Sequence, residues 1–157
     1  MVDKVKVACF SGHRKLPQDY TQLQTKLEKT IIELIYRGVV FFGNGGAIGF
    51  DQLAAKTVLR LKEEYPHIRL VMVLPCPPEQ QSLKWNEEQR KRYYDILGQA
   101  DKIRVLSQRY TDSCMLERNR HMVNNSAYLI CYLREQHGGT AYTVNYAEQQ
   151  GIQILRL

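Results

Sequence analysis

Short apolar segments alternate with stretches of helical periodicity along the whole chain. Because strands that alternate with helices join in parallel through right-handed crossovers, this pattern constrains the fold most strongly. The predicted strands are residues 5–10, 39–42, 68–74, 103–106, 127–133 and 152–157. The predicted helices are residues 20–35, 50–61, 85–97, 113–124 and 141–150. We therefore expect an α/β protein: a Rossmann-like, doubly wound open sheet, mostly parallel, with about six strands and helices on both faces.

The third predicted strand and the segment after it carry further detail. Residues 68–74 are apolar apart from Arg69, which predicts burial on both faces of the sheet. Pro75, Pro77 and Pro78 follow, and because proline lacks an amide proton and fixes φ, they predict an irregular loop. The chain has 157 residues, whereas a closed eight-stranded barrel needs about 250. Residues 1–157 are therefore expected to form a single nucleotide-binding domain.

Composition excludes several classes of protein. No apolar run approaches the ~20 residues of a membrane helix, and the N-terminus interleaves charged with apolar residues, unlike a signal peptide. A cytoplasmic protein without membrane contact is expected. The four cysteines form no C-x-x-C pair and no histidine has metal-ligand spacing, so reduced cysteines and no metal site are expected. The formal net charge of +6 suits an anionic ligand, but acids interrupt the basic residues.

In an open α/β sheet, ligands bind outside the carboxyl ends of the strands, so the residues after each strand are the candidates. After the first strand come Ser11, Gly12, His13 and Arg14, which form either a tight turn or a site. Gly12 permits close approach of a ligand, Arg14 suits a phosphate or carboxylate, and His13 is a candidate proton carrier.

The second candidate loop is rich in glycine. It contains Asn44, Gly45, Gly46 and Gly49 and leads into the second predicted helix. Glycines leave amide protons unshielded, so they can wrap an anion at a helix N-terminus. Asp51, at the helix start, is either an N-cap or an acceptor for sugar hydroxyls, because its carboxylate would repel a phosphate.

Two further segments complete the predicted site. Arg118 and Asn119 lie beside the apolar face of the fourth predicted helix, either aimed at the cleft or hydrogen-bonded to backbone. After the fifth strand come Gly138, Gly139, Thr140 and Thr143. They form either a phosphate site at a helix start or a loop with Thr140 as N-cap. All four segments are expected at one edge of the sheet.

Several short motifs together resemble one family. They are Cys9-Phe-Ser-Gly-His-Arg, Gly46-Ala-Ile-Gly-Phe-Asp-Gln-Leu-Ala-Ala, Leu61-Lys-Glu-Glu-Tyr-Pro, Trp85 with Arg92-Tyr-Tyr-Asp-Ile-Leu, Ala100-Asp, Arg118-Asn-Arg-His-Met-Val and Gly138-Gly-Thr-Ala-Tyr-Thr. The chain resembles the YpsA-like family of bacterial and phage proteins, within the SLOG superfamily that also holds Smf/DprA and the LOG phosphoribohydrolases. The resemblance implies a nucleotide-derived ligand at the strand ends and, because SLOG proteins often form dimers, a homodimer.

The chain departs from its relatives at two places. The LOG enzymes carry P-G-G-x-G-T-x-x-E, whose glutamate serves in N-glycosidic cleavage, and Thr143 stands where that glutamate would fall. YpsA-like chains often have acidic residues at the positions of Asn124 and Ala127, so a cleft with fewer carboxylates is expected.

Three functions follow from these residues. The first is binding of a nucleotide or nucleotide-derived ligand, such as AMP, ADP-ribose or an NAD-like molecule, as a sensor or regulator. The second is hydrolysis of a nucleotide N-glycosidic bond or phosphate, with Asp51 as acid/base and Arg118 or Arg14 holding the phosphate. The third is single-stranded DNA binding, by analogy with Smf/DprA, although the chain lacks a clustered stripe of aromatic and basic residues.

Overall fold

The strands closely follow the predicted segments in the computed structural model, which describes residues 2–157. They are β1 (Val7–Gly12), β2 (Phe41–Asn44), β3 (Arg69–Leu74), β4 (Lys102–Val105), β5 (Tyr128–Tyr132) and β6 (Gln153–Arg156). Their order in the sheet is β4-β3-β2-β1-β5-β6, and every pairing between neighbours is parallel. The Rossmann-like α/β fold is confirmed.

Six α-helices connect the strands. They are α1 (Thr21–Tyr36), α2 (Phe50–Leu61), α3 (Pro78–Gln81), α4 (Glu87–Gln99), α5 (Cys114–Asn124) and α6 (Gly139–Gln150). The one-turn α3 lies in the segment predicted as an irregular loop, because Pro78 suits the first turn of a helix. Among the described helices, none has the length and apolar composition needed to cross a bilayer.

Four element starts, those of β1, β2, α4 and α6, lie two residues from the prediction, and polar side chains set two of them. Lys4–Lys6 form a 3-10 turn in which the Asp3 carboxylate accepts a hydrogen bond from the Val5 amide, so β1 begins only at Val7. Helix α4 begins after Asn86, which forms a capping box with Gln89. The Asn86 side chain accepts from the Gln89 amide, and the Gln89 side chain accepts from the Asn86 amide.

The two faces of the sheet are covered unequally. Helices α1, α2 and α4 cover one face, where Phe10, Phe42 and Phe50 form the aromatic centre of the larger core. Helices α5 and α6 cover the other face with a smaller cluster around Cys9 and Met122. The prediction that β3 is buried on both faces is therefore wrong at Val71, which is only half-buried because helices cover that face incompletely.

A direct backbone contact joins the loop after β1 to the start of α2. The Phe50 amide donates to the His13 carbonyl at 3.1 Å. Gly49, just before α2, has φ = 83°, and a Cβ there would overlap the Arg14 carbonyl group. Only glycine combines this backbone conformation with so close an approach. This contact fixes the position of two of the four predicted site loops relative to each other.

We expect Gly49→Ala to lower the free energy of unfolding by at least about 2 kcal/mol, because it adds both backbone strain and an overlap. Gly98→Ala is the matched control, since Gly98 lies in α4 and a Cβ there meets no atom within 4 Å. That substitution should stabilise by about 0.5–1 kcal/mol through helix propensity. Urea unfolding of both variants measures the difference, and equal effects would contradict the proposed contact.

Candidate functional site

A pocket of about 320 Å³ lies at the carboxyl edge of the sheet, beside the starts of α2, α5 and α6. Ten of the predicted residues line it: Ser11, Gly12, His13, Arg14, Asp51, Arg118, Asn119, Gly138, Gly139 and Thr140. The neighbouring strands β1 and β5 lead into helices on opposite faces of the sheet, α1 and α6. The pocket therefore lies at the topological switch point, where open α/β sheets bind ligands.

Asp51 lies in the first turn of α2 and is only 6% exposed. Its Oδ1 atom is fully buried and has no hydrogen-bond partner among residues 2–157. Burial raises the pKa of this carboxyl to about 6, against the opposing effects of the Arg118 charge, the Ala47 amide and the Arg14 charge. A buried acceptor without a partner is costly in a folded protein, so Asp51, which lines the pocket, is a candidate for ligand contact.

Arg118 is the buried cation of the site, with 3% exposure. Its Nη1 donates to the Gly45 carbonyl at 2.7 Å, and its Nε donates to Asn119 Oδ1 at 2.8 Å. A Cβ on Gly45 would overlap the guanidinium, so a side chain there would have to displace Arg118 from its present position. Burial lowers the pKa of Arg118, while the nearby Asp51 carboxylate raises it. Arg118 thus holds the loop after β2 and supplies positive charge to the pocket.

The start of α6 forms the open wall of the pocket. Gly138 has φ = 93°, and a Cβ on Gly138 or Gly139 would meet no atom within 4 Å. The first amides of a helix have no partners within the helix, and its dipole favours an anion at this end. Thr140 adds a hydroxyl at the pocket wall, whereas the Thr143 hydroxyl donates to the Gly139 carbonyl at 2.8 Å. This wall can hold a phosphate.

The structure does not bring five of the predicted residues to the pocket surface: Asn44, Gly45, Gly46, Gly49 and Thr143. The glycine-rich loop folds on itself instead. Asn44 Nδ2 donates to the Asp51 carbonyl at 2.7 Å, and Asn44 Oδ1 accepts from the Gly46 amide at 2.8 Å. A Cβ on Gly46 would press on the ring of Tyr93. These residues therefore support Asp51 and Arg118 rather than wrap an anion.

His13 has a positioning role in this geometry. Its Nε2 accepts hydrogen bonds from the backbone amides of Arg134 at 2.7 Å and Glu135 at 3.3 Å. An accepting Nε2 carries no proton, so the ring proton of this tautomer lies on Nδ1. His13 thus ties the loop after β1 to the loop after β5, and the atom that a proton carrier would use is occupied.

Sequence reasoning missed five residues that line the pocket: Ala47, Met115, Leu116, Glu135 and His137. Glu135 and His137 follow β5 in the same loop as Gly138, so the expectation that site residues follow the carboxyl ends of the strands could have found them. Asn124 ends α5 and Ala127 directly precedes β5, which places both at the amino edge of the sheet. Neither residue lines the pocket, so the acidic residues of relatives at these positions do not bear on its charge.

We expect Asp51 to contribute a downward slope to the stability of the protein as the pH rises from about 4 to 6. Its pKa is about 6 in the folded protein and 3.8 ordinarily, so the folded state binds more protons than the unfolded state in this interval. At about 1.4 kcal/mol per pKa unit, the ionisation of Asp51 costs up to about 3 kcal/mol above pH 6.

Asp51→Asn should flatten this slope in urea unfolding measured from pH 4 to 7. The exposed control Asp112→Asn should keep the wild-type slope, and identical slopes in all three proteins would contradict the role of Asp51.

The chain matches one family model and several proteins of related sequence. A family model described as the YspA SLOG family matches residues 10–154. A UPF0398 protein of Halalkalibacterium halodurans is 33% identical over 133 residues, which cover 83% of this chain and 69% of the relative. An uncharacterised SPbeta prophage-derived protein of Bacillus subtilis, YoqJ, is 30% identical over 151 residues and covers 87% of each chain.

Two solved structures of DNA processing protein A share the fold. The protein from Helicobacter pylori, described with a single-stranded DNA binding mode, superposes with a TM-score of 0.68 at 20% identity, over 98% of this chain and 65% of that one. The protein from Streptococcus pneumoniae superposes with a TM-score of 0.67 at 16% identity, over 95% of this chain and 49% of that one. The family model matches residues 10–154 of this 157-residue chain, so the chain belongs to the YspA SLOG family.

Proposed function

We propose that the chain binds a nucleotide-derived ligand at this pocket, with a ribose hydroxyl on Asp51 and a phosphate at the start of α6. The observation that carries the proposal is one pocket with two unlike walls: the buried Asp51, whose Oδ1 has no hydrogen-bond partner within residues 2–157, and the open glycines of α6. A carboxylate and a helix N-terminus attract opposite kinds of group. A ligand that has hydroxyls at one end and a phosphate at the other satisfies both.

The chemistry of each wall supports this orientation. A ribose hydroxyl donates to the Asp51 carboxylate, and a hydrogen bond to a charged group is worth about 1.5–3 kcal/mol. The first amides of α6 and the Thr140 hydroxyl donate to phosphate oxygens. A pocket of about 320 Å³ is at the small end of ligand sites, which span about 300–1,000 Å³. A mononucleotide therefore fits better than a dinucleotide.

The residue at position 143 favours a sensor or regulator over a LOG-type hydrolase. Thr143 stands where those enzymes carry their glutamate, and its hydroxyl is used in a hydrogen bond to the Gly139 carbonyl. Asp51 is the remaining buried acid of the pocket described here, and its burial keeps a proton available near pH 6. Binding without turnover is the function that this arrangement supports best.

We expect AMP to raise the melting temperature in a panel with ADP, ADP-ribose and NAD, since a ligand at 100 times its Kd stabilises by about 2.7 kcal/mol. Calorimetry with AMP and 2′,3′-dideoxyadenosine monophosphate then tests Asp51 directly. The wild-type protein should bind AMP about tenfold more tightly than the dideoxy compound, which equals about 1.4 kcal/mol. Asp51→Ala should bind both equally, because the loss of the acceptor and the loss of the ribose hydroxyls remove the same hydrogen bond.

Pyrophosphate serves as the control ligand, because Asp51→Ala, which removes a negative charge, should not weaken its binding whereas Gly139→Ala, which fills the open wall, should weaken it. No stabilisation by any member of the panel contradicts the proposal, and so does an Asp51→Ala protein that still prefers AMP over the dideoxy compound. Release of free adenine in the same samples would support the hydrolase instead. Turnover that survives in Asp51→Asn would then remove Asp51 from the acid/base role.

A second candidate function, single-stranded DNA binding, is favoured by a basic pocket next to the first. This basic pocket has a volume of about 470 Å³ and shares His13, Arg14 and the carboxylate Glu135 with the first one. Lys15 and Arg134 add two cations, and the Arg134 guanidinium lies 4.6 Å from the centre of the Tyr132 ring. Cations beside an aromatic ring suit a phosphate backbone with stacked bases, and the Helicobacter pylori relative of similar fold is described as binding single-stranded DNA.

If this second function holds, a fluorescent oligothymidine should bind with an anisotropy change that weakens steeply between 50 and 200 mM salt, because phosphate contacts release counterions. Lys15→Gln with Arg134→Gln should weaken binding at least fivefold. Lys26→Gln with Lys29→Gln, on the exposed side of α1, removes the same charge elsewhere and should have little effect. Equal losses in the two double variants would show only nonspecific attraction to a basic protein.

A further inference from the structure

A second concave surface lies on the sheet face opposite α1, α2 and α4, away from the nucleotide pocket. We call it the β3 groove, and its volume is about 600 Å³. Its apolar floor is formed by Val7, Cys9, Phe41, Gly43, Val71 and Val73. Met122, near the end of α5, forms part of one wall. No residue of the proposed nucleotide pocket belongs to this groove.

The groove is open because of the strand order. The helices that follow β1, β2 and β3 all cover the other face, and α5 crosses from the edge strand β4 to β5 on the far side of β1. Above β2, β3 and β4 the sheet therefore lacks part of a helical layer. Parallel strands are ordinarily covered on both faces, yet Phe41 and Val71 stay half-exposed here. Apolar surface of this kind marks a docking site.

The rim of the groove is basic. Arg69, Lys102 and Arg104 are exposed, and none of them forms an ion pair within residues 2–157. Asp101 is the one carboxylate among the described residues of the groove. It is already bonded to Lys62 at 2.6 Å and to the Leu70 amide at 2.7 Å. The rim thus presents unpaired positive charge around an apolar floor.

We propose that the β3 groove docks an acidic amphipathic helix of a partner polypeptide. Such a helix takes the place that a crossover helix takes on the opposite face of the sheet. Its apolar residues, at helical spacing, lie on Phe41 and Val71, and its Asp and Glu side chains face Lys102 and Arg104. Charge complementarity favours a partner helix with negative charge, because the three unpaired cations would repel a basic helix.

The test uses the full chain and a fluorescein-labelled helical peptide of 18 residues, with leucines along one face and glutamates elsewhere. A second peptide has every glutamate replaced by lysine, and a third has the acidic sequence scrambled. By fluorescence anisotropy, the acidic amphipathic peptide should bind saturably and at least tenfold more tightly than either control peptide. Its affinity should fall with added salt, because the rim charges are exposed.

Lys102→Glu with Arg104→Glu should weaken the acidic peptide at least tenfold and strengthen the lysine peptide. Both side chains are exposed, so the fold should be retained, and the urea midpoint checks this. Lys26→Glu with Lys29→Glu on α1 is the control for the change in net charge and should leave both affinities close to wild type, apart from a small general effect. The response to AMP should stay the same in both double variants, which separates this surface from the nucleotide pocket.

Three results would overturn the proposal. One is equal affinity for the acidic, basic and scrambled peptides. Another is an unchanged affinity for the acidic peptide in Lys102→Glu with Arg104→Glu. The third is a concentration-dependent dimer in sedimentation equilibrium that Val71→Asp converts to a monomer, which would assign the groove to a second copy of the chain.

Discussion

The candidate site depends on the hydrogen bonds and the charge pairing of the buried Arg118 guanidinium. A buried charge destabilises a protein unless hydrogen bonds and an opposite charge compensate for it. Here the Gly45 carbonyl and Asn119 accept from the guanidinium, and Asp51 supplies the countercharge. One side chain of α5 thereby holds the loop after β2, although the two residues stand 73 positions apart in the chain. A side chain at position 45 would have to displace this guanidinium, and Asp51 Oδ1 has no hydrogen-bond partner within residues 2–157.

Apolar periodicity and helix-breaking residues predicted the six strands and five of the six helices described here, because these signals act over a few positions. They missed element starts that depend on single polar side chains, as at Asp3 and Asn86. They also missed the exposure of Val71, since that depends on which face each crossover helix covers. An apolar strand in the middle of a parallel sheet looks the same in sequence whether a helix lies over it or a groove does.

The rule that ligands bind outside the carboxyl ends of the strands predicted which edge of the sheet carries the pocket. It could not distinguish the glycines that pack against protein from those that face open space. Gly45 and Gly49 face other parts of the protein, whereas Gly138 and Gly139 face open space. All four look alike in sequence, because the difference depends on Arg118 in α5 and on Arg14 in the loop after β1. His13 illustrates the same limit: its bonds to the amides after β5 exist only once β1 and β5 lie side by side.

The open wall at Gly138 and Gly139 makes the two sides of the pocket unequal in their capacity to change during evolution. On the side of α2 and α5, a new side chain at Gly45 would displace the Arg118 guanidinium from its hydrogen bond to the Gly45 carbonyl. At Gly139 an added Cβ would meet no atom within 4 Å. Small substitutions there can reshape the pocket at little cost in stability. Variation of the pocket is therefore expected to concentrate in the loop before α6, while the framework around Arg118 stays constant.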